Sequence, residues 1–469
     1  MAHPTVIDSH ILHRNMTSEP LKVVSGSGIR YFLDSGKAII DATGGPSVSI
    51  LGHSQPEVTQ AIIDQLAKIQ YVYSGAPLTS EPSEELARFL LQDHPGRLSK
   101  AIFVNSGSEA TDAAIKLATQ YWHEKGQPQR TYIISRKQSY HGNTIGALCV
   151  SGHESRREFY KDWLSDNVAF VDPCYAFRAK KDGGRETDEA YVERLREQLE
   201  DTFRAIGPEK VSAFMAEPQS GTVLGCVTAV PGYFKMVREV CDKYGALLIL
   251  DEIICGMGKT GTMHAWEQEE GFRGPDIQTI GKALGAGFVP LSGVLVHERI
   301  FQTLANASGM LAHGHTFQAH PLACAAALAV QKIIRRDNIL ANVRHQGRVL
   351  EQLLRTRIEP LPFVADIRGR GLFWGIEFLL DTKAKVPFPP SYKFCSSVVE
   401  VALDLGLNIL GNLGQTGEYY VDHVIIAPPY IVQEQDLGDI VDLLGQAIER
   451  VALSYIEKRP LADGEQARM

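Results

Sequence analysis

An α/β fold built on a mostly parallel sheet is the architecture this sequence predicts, on three observations. Between about residues 55 and 310, six short apolar runs recur that are too apolar for half-exposed strands. Strands read this way when they are buried on both faces, as in a parallel sheet covered by helices. Helical patterns alternate with the runs, which is the order expected of α/β layers. The residues of unusual chemistry lie just after the runs, beyond the carboxyl ends of the strands, where open sheets of this class bind ligands.

Taken in order, IRYFLDSGKAIIDAT (29–43) is patterned as a hairpin. The buried runs are KAIFVN (100–105), TYIIS (131–135), NVAFVD (167–172), VSAFMAE (211–217), ALLILDE (246–252) and SGVLVH (292–297). SEATDAAIKLATQYWHEKG (108–126) and VERLREQLEDTFRAIG (192–207) are helices between them, and KKDGGRETDE (180–189) is a polar, exposed loop. Residues 321–355 begin as a long alanine-rich helix. VADIRGRGLFWGIEFLL (364–380) and DHVIIAPPY (422–430) then alternate like strands, and a helix closes the chain near 434–456. The expected organisation is an N-terminal segment (1–54) packing with a smaller C-terminal α+β domain (321–469), around a large domain (55–320). No internal repeat is present.

A length of 469 residues, 44% hydrophobic and 22% charged, exceeds one comfortable hydrophobic core. The net charge of -8, with no basic run or basic-aromatic stripe, speaks against nucleic acid as a partner. No run of about 18 apolar residues predicts a membrane span, and the N-terminus lacks the apolar core of a secretory signal. Cys149, Cys174, Cys226, Cys241, Cys255, Cys324 and Cys395 are scattered without a CxxC, which fits reduced thiols in the cytoplasm. The C-terminal ARM (467–469) is similar to a conservative variant of the peroxisomal SKL tripeptide and keeps that compartment open.

Five stretches carry candidate chemistry. VNSGSEATDAAIKLA (104–118) reads as strand, Ser-Gly-Ser turn and helix. Free amides at the helix start favour an anion such as phosphate, although plain capping by Ser106 or Ser108 explains the turn equally. In LLILDEIICGMGKTG (247–261), Asp251 ends the most apolar run. A carboxylate there needs a cation, a protonated ring nitrogen or a structural ion pair. GMGKTG is not a phosphate-binding P-loop, because the required first glycine position holds Ile253.

SYHGNT (139–144) presents Tyr140 as a ring that could stack on a flat cofactor, with His141 beside it; a strand-end turn is the alternative. HGHTFQAHPLACAAALA (313–329) is histidine-rich, but no carboxylate or cysteine completes a metal set, so no metal is expected. Its Thr316 is either a hydroxyl donor to a phosphate or a helix cap. Finally, Lys282 in QTIGKALGAGFVP (278–290) reads as a lysine near a buried strand end followed by Ala and Gly residues, a setting in which a lysine can serve as a Schiff-base nucleophile. A pyridoxal phosphate site needs such a lysine, an acid for the ring nitrogen, a phosphate cradle and a stacking ring. All four are in this sequence.

With SGSEATDAAIKLA, YHG, DEIICGMGKTG, TIGKALGAG and HTFQAHPLACAAALA in place, the chain resembles the class-III aminotransferases over roughly residues 20–455. The resemblance implies pyridoxal 5'-phosphate as cofactor. It also implies fold type I, with a large domain on a mostly parallel seven-stranded sheet and a smaller α+β domain. It further implies Lys282 as the Schiff-base lysine and proton shuttle, Asp251 against the pyridine nitrogen, and Ile253 and Tyr140 on the two ring faces. Gly107 and Ser108 would hold the phosphate, Thr316 would reach the phosphate of a neighbouring subunit, and the enzyme would be a homodimer with shared sites. The implied reaction is ping-pong transfer of an amino group from a small-molecule amine or ω-amino acid to a carbonyl acceptor.

Candidate substrate contacts are Ser47, Tyr73 and Arg368. Arg368 in IRGRGL matches the carboxylate-binding arginine of ornithine-type members, or is a structural arginine at a strand end. EPQSGT (217–222) departs from the ornithine-type pattern by placing Thr222 at the gatekeeping glutamate. That favours a likeness to the ω-amino acid or amine:pyruvate branch. Ser47 stands where a bulky tryptophan often narrows the pocket, and LGNLGQTGEYYVDH (410–423) lacks the arginine that ω-type enzymes often carry. Both point to a roomier, less carboxylate-directed site. The motifs leave open a decarboxylating aminotransferase, an aminomutase, a racemase or an amino-phospho-lyase, because the cofactor performs the difficult chemistry in all of them. A dehydrogenase is not expected, since no GxGxxG follows a strand near the start of a βαβ unit.

Overall fold

The structure, a computed structural model, describes residues 9–414 and 416–458, so the C-terminal ARM lies outside the described residues. Its central sheet has seven strands in the order Leu98–Val104, Ser292–His297, Ile277–Ile280, Leu247–Asp251, Val211–Ala216, Tyr132–Arg136 and Val168–Val171. The run from Ile277–Ile280 to Val168–Val171 pairs in parallel throughout. Ser292–His297 is antiparallel to both its neighbours, which sets Leu98–Val104 in the same direction as the parallel strands.

Six of the strands are the apolar runs of the sequence. The seventh, Ile277–Ile280, carries Gln278 and Thr279 and so has no apolar pattern, yet all four residues are buried. The two polar side chains are satisfied inside. Gln278 accepts from Trp266 Nε1 (2.9 Å) and contacts His264 Nδ1 (2.9 Å), and Thr279 donates to Asp251 (2.9 Å).

The uniformly apolar strands follow from helices on both faces. Leu247 and Ile249 pack with Ala110, Ala113, Ala114 and Leu117 of the helix Gly107–Glu124. Leu248 and Leu250 point the other way, against the helices Asp188–Ile206 and Tyr233–Tyr244. The small side chains of Gly107–Glu124 recur at helical spacing and let it lie close to the sheet.

Two smaller sheets complete the chain. One joins Val23–Ser27, Arg30–Leu33 and Ala38–Asp41 to Leu407–Asn408, which is parallel to Ala38–Asp41, so the first and last parts of the chain share a sheet. Asp41, fully buried, seals this junction: its Oδ1 accepts from Asn408 Nδ2 (3.0 Å) and from the Gly44 amide (3.0 Å), and its Oδ2 meets His53 Nε2 at 3.1 Å. The other is antiparallel, in the order Val364–Arg370, Phe373–Phe378, Val421–Ile426 and Leu410–Gly414. The helices Phe394–Leu405 and Glu434–Lys458 pack together beside it.

The expected long helix at 321–355 is two helices, Pro321–Arg336 and Ile339–Leu353. Asn338 between them has φ 48°, a left-handed conformation that ends a helix and that asparagine tolerates well. Pro321–Arg336 packs on the helices Pro56–Lys68 and Glu81–Leu91. All seven cysteines are buried and unpaired, and among the described residues no helix is long and apolar enough to cross a membrane.

Candidate active site

The chemically distinctive side chains meet at the carboxyl edge of the parallel strands. Asp251, the last residue of Leu247–Asp251, is only 4% exposed. Its Oδ1 accepts hydrogen bonds from Thr279 Oγ1 (2.9 Å) and the Ile253 amide (3.0 Å), and its Oδ2 lies 2.7 Å from His141 Nδ1. His141 is itself fixed: its amide donates to Ser151 Oγ (2.8 Å), and its carbonyl accepts from Thr111 Oγ1 (2.7 Å). A carboxylate offers about four acceptor positions. Three are used here, which orients the group and leaves one on Oδ2 for a ring N–H.

Lys282 follows the strand Ile277–Ile280 after a single glycine and opens the short turn Lys282–Leu284 at φ 41°. Gln331 Nε2 holds that turn by donating to Leu284 O (2.8 Å) and Ala283 O (3.3 Å). Gly281 permits the approach, because a Cβ there would fall 2.5 Å from Ser292 Oγ and 3.0 Å from Ile253 Cδ1. Burial pushes the Lys282 pKa down, while Asp251 and Glu217 pull it upward, with a net lowering. A lower pKa enlarges the neutral, nucleophilic fraction of the amine.

At the start of Gly107–Glu124, Ser106 is the cap, with Ser106 Oγ accepting from Glu109 N (3.2 Å) and Glu109 reaching back to Ser106 N (3.1 Å). The capping and anion readings are therefore compatible. The first intrahelical bond is Ala110 N to Ser106 O (3.0 Å), so the Gly107 and Ser108 amides precede it and face outward along the axis. Ser108 Oγ accepts from Asn143 N (2.9 Å). A Cβ on Gly107 would stand 3.0 Å from Ile253 Cγ2, and one on Gly142 only 2.6 Å from Ser108 Oγ. Tyr140, partly exposed, completes the surroundings, with its ring tilted edge-on to His153.

A flat ring bearing a phosphate, a protonated nitrogen and an aldehyde fits these residues. Helix amides and a glycine-lined cradle suit the phosphate, Asp251 suits the ring nitrogen, and the Lys282 amine suits the aldehyde. His141 sits behind Asp251 with its Nδ1 on that carboxylate, so any influence it has on a ring passes through Asp251.

Other expected residues lie further out. Thr316 is exposed, its carbonyl accepting from Tyr71 OH (2.8 Å), and Tyr73 and Phe317 are exposed apolar surface. Ser47 is buried at φ 64° in the turn Gly44–Ser47, which packs on the Lys282 turn. Arg368 does not present a free guanidinium, and the strand-end structural reading is the one its geometry fits. Nε donates to Gly225 O (2.8 Å), Nη1 to Asp366 Oδ2 (2.7 Å) and Glu377 Oε2 (2.6 Å), and Nη2 to Leu224 O. Glu377 also accepts from Arg178 Nε (2.8 Å) and from the Tyr175 hydroxyl.

Sequence reasoning missed Thr279, Thr111 and Ser151, which fix Asp251 and His141, and the proximity of Glu217 to Lys282. Glu217 is buried, accepts from the Gly221 amide (3.0 Å), and burial raises its pKa. Of these only Glu217 carried a sequence signal, as the charged end of the buried run VSAFMAE (211–217).

The chain matches the class-III aminotransferase family over residues 11–448. It is 44% identical to an uncharacterized aminotransferase of Schizosaccharomyces pombe, over 94% of this chain and 95% of that protein. An aminotransferase of Gibberella zeae is 42% identical over 93% of this chain and 85% of its own. Among solved structures, a thermostable (S)-enantioselective omega-transaminase from Thermomicrobium roseum is similar with a TM-score of 0.88 and 33% identity, covering 94% of this chain and 96% of its own.

Proposed function

Because the chain belongs to the class-III aminotransferases, pyridoxal 5'-phosphate-dependent enzymes of fold type I, we propose that it transfers an amino group from an amine or ω-amino acid to a 2-oxo acid or aldehyde. The exchange is ping-pong, the deaminated product leaving before the acceptor arrives. The observation that carries this reading is Asp251, locked by Thr279, Ile253 and His141 at a strand end, with the Lys282 amine close enough to feel its charge.

The cofactor, when bound, supplies an aldehyde that condenses with amines and a ring that accepts the electron pair of a broken Cα–H bond. Asp251 keeps the proton on the ring nitrogen, and the hydrogen bonds behind it stop the carboxylate from turning away. Lys282 would hold the cofactor's aldehyde and, as a neutral amine, would move the proton to and from the substrate's Cα. The Gly107 and Ser108 amides would hold the phosphate, and Ile253 and Tyr140 would flank the ring. Thr316 serves a neighbouring subunit in a homodimer, a reading supported by its exposure beside the apolar surface of Tyr73 and Phe317. Recognition of the amine side chain is roomy near Ser47.

A donor screen with pyruvate, 2-oxoglutarate and simple aldehydes as acceptors tests the reading, with paired amino and carbonyl products as the expected result. Lys282→Ala is expected to keep the cofactor at most non-covalently and to lose nearly all turnover. Wild-type turnover in that variant would remove Lys282 from the chemistry.

A further inference from the structure

Two consecutive arginines follow the Tyr140 loop, and the structure uses them in opposite ways. Arg157 is fully committed: its Nη1 donates to the carbonyls of Leu148 (2.8 Å), Cys149 (2.7 Å) and Ser151 (3.1 Å), and its guanidinium covers the Phe170 ring. Arg156 has its guanidinium carbon 5.0 Å from the centre of the Tyr140 ring and, among the described residues, makes no ion pair and no side-chain hydrogen bond. It is half-buried, so the charge is neither freely solvated nor neutralised.

The backbone around Arg156 is fixed. Its amide donates to His153 O (3.1 Å), and the Glu154 amide donates to Thr416 O (3.0 Å). Gln138 ties the same corner from the other side, donating to Thr416 Oγ1 (2.9 Å) and accepting from the Tyr419 amide (2.8 Å). Arg156 therefore stands where the Tyr140 loop meets residues 416–419 of the C-terminal part. The adjacent His153 is kept neutral, its pKa pushed down to about 4 by burial first and by the Arg156 charge second.

We propose that Arg156 is the specificity-determining residue that reads the carboxylate of the 2-oxo acid acceptor, and of ω-amino acid donors. A guanidinium presents a planar fork that matches a carboxylate in two parallel hydrogen bonds, and it stacks on aromatic rings when no anion is present. Resting on Tyr140, Arg156 leaves room for an uncharged amine; leaving that ring, it pairs with an acid. A ping-pong exchange that takes an amine in one half and a 2-oxo acid in the other needs both states. Arg156 thus supplies the cation that the segment 410–423 lacks and that Arg368, committed to Glu377 and Gly225, does not provide.

The proposal rests on the aminotransferase reading above, so the test begins with the wild-type holoenzyme, a simple uncharged amine donor, and pyruvate and benzaldehyde as alternative acceptors. No turnover with either acceptor would overturn the parent reading before any variant is made. In Arg156→Met, the ratio of kcat/KM for pyruvate to that for benzaldehyde is expected to fall roughly ten- to a hundredfold, the range of a hydrogen-bonded charge. The loss should lie mainly in KM, and Arg156→Lys should recover part of it. Calorimetric binding of butanoate, an unreactive carboxylate, to the holoenzyme should weaken in parallel, with a melting temperature close to wild type. An unchanged acceptor ratio, or unchanged butanoate affinity, would overturn the assignment.

Discussion

Replacing Arg368 by methionine should weaken the fold and leave substrate affinity unchanged. Burial alone would raise the pKa of Glu377, yet Arg368 and Arg178 hold it below the usual carboxylate value, so the folded protein carries it ionised. The substitution leaves that buried carboxylate with Arg178 (2.8 Å) and Tyr175 as partners, and strips Gly225 O and Leu224 O of their donor. Breaking a buried, hydrogen-bonded ion pair costs about 3–5 kcal/mol. An unfolding entropy of about 2.1 cal/mol/K per residue, over 469 residues, gives a melting entropy of about 1 kcal/mol/K. The expected fall in Tm is therefore about 3–5 °C for a chain melting as one unit, measured by calorimetry. A depressed carboxylate pKa stabilises above its unfolded value near 4.5 and loses that contribution as pH falls. The deficit should therefore be full at neutral pH and shrink in acid. An unchanged Tm together with a raised KM for 2-oxo acids would refute the reasoning and return Arg368 to the substrate.

Asp251→Asn keeps the shape and removes the charge; turnover should drop roughly 10²–10³-fold, read by steady-state kinetics, and a loss below tenfold would discount its role at the ring. Gly142→Ala drives a methyl to 2.6 Å from Ser108 Oγ at φ 139°. Overpacking of this kind costs about 1–3 kcal/mol, so titration of the apoenzyme should show weaker cofactor binding, and an unaltered Kd would contradict the cradle. Lys259 is almost fully buried above the Tyr430 ring, and burial lowers its pKa to about 7. Between that value and 10.5 the unfolded chain holds a proton the native state has lost, so wild-type stability climbs with pH in that window. Lys259→Met should lack the climb, gaining Tm near pH 7–8 and losing the gain toward pH 10; parallel curves would refute this.

Strands buried on both faces were legible because short uniformly apolar runs recur between helical patterns, and Val211–Ala216 and Leu247–Asp251 fall within a residue of the sequence expectation. Ile277–Ile280 was not legible. Its polar side chains are satisfied by Trp266, His264 and Asp251, partners that only the folded sheet supplies. Asp251 stood out as a charged residue after an apolar run and Lys282 as a lysine set among small and glycine residues, whereas the orientation of His141 behind Asp251 depends on Ser151 and Thr111, invisible as local pattern. Arg368 shows the opposite limit: a strand-end arginine looks available in sequence, and its partners Glu377, Gly225 and Leu224 emerge only when the segments meet. The break at Asn338 was obscured because the alanine-rich segment before it and the leucine- and valine-patterned segment after it both favour helix.

The junction sealed by Asp41 and Asn408 sets a clock for synthesis. The two residues are 367 positions apart, and a ribosome adds about 5–20 residues per second. The amino-terminal strands therefore spend roughly 20–70 s outside the ribosome with a carboxylate and a strand edge still waiting for their partners. Asp41 also holds Gly44, at the start of the turn that packs against Lys282, so the carboxylate that waits for Asn408 is the one that shapes the approach to the lysine.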